Sequence, residues 1–219
     1  MNILALDTCL GACSVAVCRD DQTLATASEA MTRGHQERLA PMVRDVMAEA
    51  DLEFAQLDRI GVTVGPGSFT GLRVGLAFAK GLALALDRPC IGVSVLEALG
   101  RARARPGFVA ACLDAHRGQV YLQVFVDGRA VMAPDALPVE VASARLIELY
   151  AGGHAVLVGS GAPLLQAALP GAQAEPEALP DPAAIAAFAR DASSPFAPPR
   201  PLYLRAPDAK MMGAREMGA

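Results

Sequence analysis

Leu6-Asp7-Thr8-Cys9-Leu10-Gly11 and Leu113-Asp114-Ala115-His116-Arg117-Gly118 share one frame, Leu-Asp-x-x-x-Gly. Each copy joins two apolar, β-prone runs. Asn2 to Leu6 and Ala12 to Cys18 flank the first; Phe108 to Leu113 and Val120 to Val126 flank the second. So short a frame carries little weight alone, and the elements behind each copy supply the rest. After the first copy, the turn Arg19-Asp20-Asp21-Gln22 leads to a third strand, Thr23 to Ala27. Leu39, Met42, Val43, Val46, Met47 and Ala50 then recur at helical spacing, with Arg38, Arg44, Asp45 and Glu49 opposite. Pro41 falls early in that helix, where proline is best tolerated. A strand (Arg59 to Val64), a glycine-rich loop, a second helix (Leu72 to Leu86), a short strand (Cys90 to Val93) and a helix to about Arg103 complete the half.

Behind the second copy the order repeats. Asp127-Gly128 is a hairpin-tip dipeptide, so a third strand should follow. Val141 to Tyr150 reads as a helix, Ala155 to Val158 as a strand, and Ile185 to Arg190 as part of a final helix; residues 171–182 read as a loop. Strand, strand, strand, helix, strand, helix thus occurs twice, which predicts a duplicated unit. A duplicated ββαβα-type unit with hairpins facing one cleft is the layout of the actin-like (ASKHA, ribonuclease H-like) α/β folds. By that analogy we expect two small domains, 1–104 and 105–202, with the closing segment 203–219 returning to the first. Fold analogy carries no function by itself.

Composition narrows the classes. At 219 residues and 53% hydrophobic, the chain can bury sizeable cores. Lys80 interrupts its longest apolar run, and the first residues lack the basic start of a signal peptide. Five cysteines without a Cys-x-x-Cys pair argue against disulfide and zinc frameworks, so a cytoplasmic protein is expected. A net charge of −4 disfavours a chain that grips nucleic acid on its own.

The residues that can carry chemistry are few. Gly65-Pro66-Gly67-Ser68-Phe69-Thr70-Gly71 follows a strand and opens a helix, so its N–H groups can hold an anion; equally, it is a tight turn that needs glycines. It lacks the P-loop spacing. Asp7 with Thr8, and Asp114, sit where carboxylates of actin-like folds meet a nucleotide-bound metal, yet an Asp ending a strand also caps its own turn. Gly67, Ser68 and Thr70 complete this set of anion or nucleotide candidates. Gly159-Ser160-Gly161-Ala162 has the same two readings, an adenosine-binding loop or a helix entry. His35, His116 and His154 form no His-x-x-x-His pair, and the cysteines lie in apolar contexts. No catalytic constellation, metal site or cofactor is expected.

The helix from Leu72 to Leu86 is more pointed. Arg73 and Lys80 share one seam with the following Asp87, and the other roughly 260° of the wheel is apolar or glycine. Such a helix is buried on more than one side. Its bulky face holds Leu72, Leu76, Leu82 and Leu86; its small face holds Ala77, Gly81 and Ala85 beside Val74. Either a neighbouring helix of the same half or a partner covers the second face. With the methionine-bearing stripe of the preceding helix, this points to an interaction protein. The candidate interface is Leu39, Met42, Val43, Val46, Met47, Val74, Ala77, Phe78, Gly81 and Ala85.

Ile3-Leu4-Ala5-Leu6-Asp7-Thr8, His35-x-Glu37-x-Leu39-x-Pro41-Met42 and Gly65-Pro66-Gly67-Ser68-Phe69-Thr70-Gly71-Leu72-Arg73-Val74-Gly75 strongly resemble the TsaB (YeaZ) family. Asp114-Ala115-x-Arg117-Gly118-Gln119-Val120-Tyr121 and Pro201-Leu202-Tyr203-Leu204-Arg205 are similar too. The resemblance is dense over about residues 1–125 and thin over 130–195. It implies an actin-like, non-catalytic subunit of the complex that makes threonylcarbamoyladenosine in tRNA. Its partners would be a TsaD-type catalytic paralogue and a TsaE-type ATPase, with tRNA held mainly through the complex and a homodimer formed when alone. The paralogue's metal-binding His-x-x-x-His pair has no counterpart here. The first two helices would form the contact with it. The alternative is a small actin-like ATPase or phosphotransferase acting through Asp7, the Gly67-Ser68 loop and Asp114. Met211 to Ala219 reads either as a helix or as a disordered tail.

Overall fold

Alternating burial along the first strand sets the architecture. In β1 (Asn2–Asp7), Leu4 and Leu6 enter one apolar core while Ile3 and Ala5 enter another, so the sheet is covered on both faces. The computed structural model describes residues 1–103 and 106–205; the tail read at Met211 to Ala219 lies outside them. β1 pairs antiparallel with β2 (Ala12–Arg19), and β2 with β3 (Gln22–Ala30). On its other side β1 pairs parallel with β4 (Arg59–Thr63), and β4 with β5 (Cys90–Val93), giving the order β3-β2-β1-β4-β5. The helices α1 (His35–Glu49) and α2 (Phe69–Leu86) make the crossovers into β4 and β5, and both lie on the Leu4 face.

After α3 (Val95–Arg101) the plan repeats. β6 (Phe108–His116) and β7 (Gln119–Val126) form the hairpin, continued by the short β8 (Arg129–Ala130) and by β9 (Asp135–Pro138), which also pairs with β7. Asp127 and Gly128, both at positive φ, form the tip, as the dipeptide predicts. Then follow α4 (Val139–Leu149), β10 (Ala155–Val158) parallel to β6, and the single turn α5 (Ala162–Leu165). The segment read as a loop at 171–182 holds one more strand, β11 (Gln173–Glu175), parallel to β10. Its sequence, Gln-Ala-Glu, has no β propensity; the free edge of β10 imposes the pairing.

The last helix, α6 (Pro182–Asp191), does not cover the sheet of its own half. Ile185, Ala186 and Ala189 pack on Ile3, Ala5 and Ala16 of the first sheet. α3, conversely, leaves the first half to lie against β6 and β7, where Gly100 leaves room for the Phe125 ring. The halves are thereby interlocked.

α1 corrects two expectations. Pro41 lies in the helix interior, in its second turn. Leu39, Met42, Val43, Val46 and Met47, read as interface residues, are at most 2% exposed and pack into the chain's own core. A sheet face needs an apolar stripe as much as a partner does, and the sheet takes this one. α2 has the length and apolar composition to cross a membrane, yet Leu72, Leu76, Ala79 and Ala83 are buried in the first core.

Candidate functional site

The two Leu-Asp-x-x-x-Gly turns are built alike. The Asp7 carboxylate accepts the N–H of Cys9 at 3.1 Å, and that of Asp114 accepts the N–H of His116 at 2.7 Å. Both therefore cap their own turns two residues on. Asp7 is fully buried; its Oδ1 also accepts the Thr63 hydroxyl at 2.6 Å, while its Oδ2 has no partner. Burial pushes its pKa up to about 6, against the lowering effect of the hydrogen bonds from Thr63, Cys9 and Thr8.

The glycine loops seat these turns. A Cβ on Gly67 would lie 2.2 Å from the Cys9 carbonyl oxygen, and one on Gly71 2.0 Å from that of Thr8. Ser68 N–H donates to the Cys9 carbonyl at 2.6 Å, Thr8 Oγ1 donates to the Gly71 carbonyl, and Ser68 Oγ caps the helix by accepting from Gly71 N–H. In the second half a Cβ on Gly159 would meet the Cys112 carbonyl at 2.4 Å, and Gly161 N–H donates to that carbonyl. Ser160 Oγ accepts from Asp114 N–H. In both halves the loop is spent on the chain's own hairpin. The small residues serve close backbone approach.

Between the halves lies a cavity of about 420 Å³, lined by Cys9, His35, Ser68, Leu113, Ser160 and Glu177 among others. Of the anion or nucleotide candidates Ser68 lines it, and Ser160 of the second glycine loop lines it from the other half. Thr8 is 1% exposed, Gly67 stands at the surface, and Thr70 lies in a different groove. Neither Asp7 nor Asp114 lines the cavity, and of the two readings the sequence left open for them each makes the turn-capping contact. Sequence reasoning missed His35 as a lining residue. Its position at the first turn of an amphipathic helix gave no signal for a cavity between halves.

The second concavity runs between α1 and α2, with a volume of about 570 Å³. Gln36 and Leu39 line it from α1; Phe69, Thr70, Arg73, Val74, Ala77 and Phe78 line it from α2. Of the α2 candidates Val74, Ala77 and Phe78 line the groove, and Gly81 and Ala85 stand exposed outside it; of the α1 candidates only Leu39 lines it. Ala77, Gly81 and Ala85 are exposed, and nothing lies within 4 Å of a Cβ placed on Gly81. The bulky face therefore covers the sheet and the small face is open. Leu84, 85% exposed, and Phe69, 55% exposed, belong to the same face and were overlooked. Leu84 lies four residues beyond Lys80 and seven beyond Ala77, a helical spacing legible in the sequence.

Comparison with known proteins places the chain in a family. Residues 25–156 match the family described as TsaD, tRNA N6-adenosine threonylcarbamoyltransferase. The tRNA threonylcarbamoyladenosine biosynthesis protein TsaB of Escherichia coli K12 is 40% identical over 124 residues, 55% of this chain and 53% of that protein. The chain spans about half the length of the curated TsaB relatives it matches. YeaZ from Pseudomonas aeruginosa superposes with a TM-score of 0.75 at 32% identity, over 86% of this chain and 90% of that one. A ROK hexokinase from Thermus thermophilus superposes with a TM-score of 0.54 at 14% identity, over 87% of this chain and 98% of that one, a likeness of fold alone. The duplicated actin-like α/β architecture expected from the repeat is the one found.

Proposed function

Because the chain belongs to the TsaB (YeaZ) family, we propose that it is the non-catalytic partner subunit of a complex that transfers a threonylcarbamoyl group to adenosine in tRNA. In that role it binds and supports a TsaD-type catalytic paralogue. What carries the reading is the open face of α2: a helix apolar nearly all round leaves Ala77, Gly81, Leu84 and Ala85 uncovered beside an apolar groove. An uncovered apolar face of this kind is stabilised by a partner. The interface we propose is α2-centred, with Val74, Ala77, Phe78, Gly81 and Ala85 on it and Leu39 at the groove floor. The same face serves a homodimer when the chain is alone. A TsaE-type ATPase and tRNA join through the assembled complex, in the cytoplasm. Asp7 and Thr8, shut inside the protein and bonded to its own backbone, weigh against a phosphotransferase acting through this chain's cleft.

Co-purification with the TsaD-type subunit of the same organism tests the reading. Wild type should form a stable complex, and Gly81→Leu and Ala77→Leu should each lose it while keeping the wild-type melting temperature. A wild-type chain that forms no such complex, or that binds ATP with magnesium at micromolar affinity by itself, would overturn it.

A further inference from the structure

The partner's chemistry can be read from the charges on α2, an inference that rests on the partner-subunit reading. Arg73 and Lys80 are both exposed. Seven residues turn a helix by about 700°, so the two lie within about 20° of one seam and roughly 10 Å apart along it. The Arg73 guanidinium rests on the Phe69 ring, 3.8 Å from its centroid. Among the described residues, neither Arg73 nor Lys80 has a carboxylate within ion-pair distance or a hydrogen-bond acceptor. Both stand on the edge of the open face, beside Ala77 and the 85%-exposed Leu84. From Phe69 to Leu86 the helix carries no carboxylate at all; the first is Asp87, past its end.

A partner pressed on this face takes the cations out of water along one rim, and a charge left without a counter-charge there opposes binding. An α2 from a second copy would set cations against cations. A helix with a small or apolar stripe, flanked by carboxylates about two turns apart, would meet both. We propose that the partner element docking on α2 is such an acid-edged amphipathic helix, and that Arg73 and Lys80 select it over a second copy of this chain. Opposite rim charges act chiefly on association rate and on discrimination.

The test uses the full chain and the TsaD-type subunit of the same organism, with binding kinetics measured at about 50 and about 300 mM salt, where screening differs strongly. Arg73→Glu with Lys80→Glu should weaken the complex at least about tenfold at low salt, mainly through slower association, and should abolish or reverse the loss of affinity with salt expected of the wild type. Its melting temperature should stay that of the wild type. Self-association of Arg73→Ala with Lys80→Ala, followed by sedimentation, should be unchanged or tighter. An unchanged affinity and salt slope in the charge-reversed protein would sink the inference and leave the partner-subunit reading standing. Self-association of the alanine variant weakened as much as its complex would sink it as well, because a second copy would then supply the carboxylates. If wild type does not bind the subunit, both fall together.

Discussion

Asp7 is where one carboxyl group couples the hairpin to solution pH. Its folded pKa, about 6, lies above the ordinary value of 3.8, so the folded state holds this proton more tightly than the unfolded chain does. The stabilisation by the protonated form is complete below about 3.8 and is lost as pH rises through about 6. Above that, the buried charge costs on the order of 3 kcal/mol. Asp7→Asn, which still offers Oδ1 to Thr63 and Cys9, should therefore be more stable than wild type at pH 7.5 by roughly 1–3 kcal/mol, and the gain should vanish near pH 4. Denaturant titrations of both proteins across that range measure it. Gly71 makes the complementary case. Its Cβ site is filled by the Thr8 carbonyl, so Gly71→Ala should cost at least roughly 2 kcal/mol by the same assay, while Gly81→Ala, into open space, should cost nothing or stabilise by up to about 1 kcal/mol. Both glycines lie within α2, one in its first turn and one on its open face. The close approach of the Thr8 carbonyl, at the end of a distant strand, makes the first intolerant of a side chain.

At the scale of the element, α2 has two faces that composition alone treats alike. Leu76 is 5% exposed against the sheet and Leu84 is 85% exposed. Leu76→Ala should therefore destabilise the isolated chain by about 2–5 kcal/mol, and Leu84→Ala by no more than about 0.5 kcal/mol. Leu84→Ala should instead weaken the complex with the TsaD-type subunit, so thermal melting and binding should rank the two variants in opposite order. The α1 stripe shows the other side of this ambiguity. Leu39, Met42, Val43, Val46 and Met47 announce a helix with one apolar face, and that much was legible. Whether the face meets its own sheet or a partner depends on how much apolar surface β1, β2 and β4 leave to be covered. A heptad pattern contains no such term.

Across the whole molecule, the halves are held by exchange of their last helices, and Arg59 pins one of them. From β4 its Nη1 donates to the carbonyls of Ala189, Arg190 and Ala192 at 2.6–2.9 Å, at the C-terminal end of α6, and its guanidinium lies 4.7 Å from the Phe196 ring centroid. A cation at a helix C-terminus also meets the negative end of the dipole. Arg59→Ala should cost about 2–3 kcal/mol, and hydrogen exchange should show α6 opening ahead of the rest. If α6 amides stay as protected as those of β1, the helix is held by its apolar face alone.

The sequence by itself determined the duplicated strand–helix order, both hairpins and the family, because each is written in local spacing within a few turns or strands. It also set an apolar α2 with a single cationic seam. Only the tertiary structure decided that α6 covers the opposite half's sheet, that Gln173–Glu175 becomes a strand, that Asp7 is sealed in while Asp114 is not, and that the small face of α2 is the one left open. Those outcomes depend on which surfaces, far apart along the chain, compete to be buried first. That competition is settled by packing between elements and has no signature within any one of them.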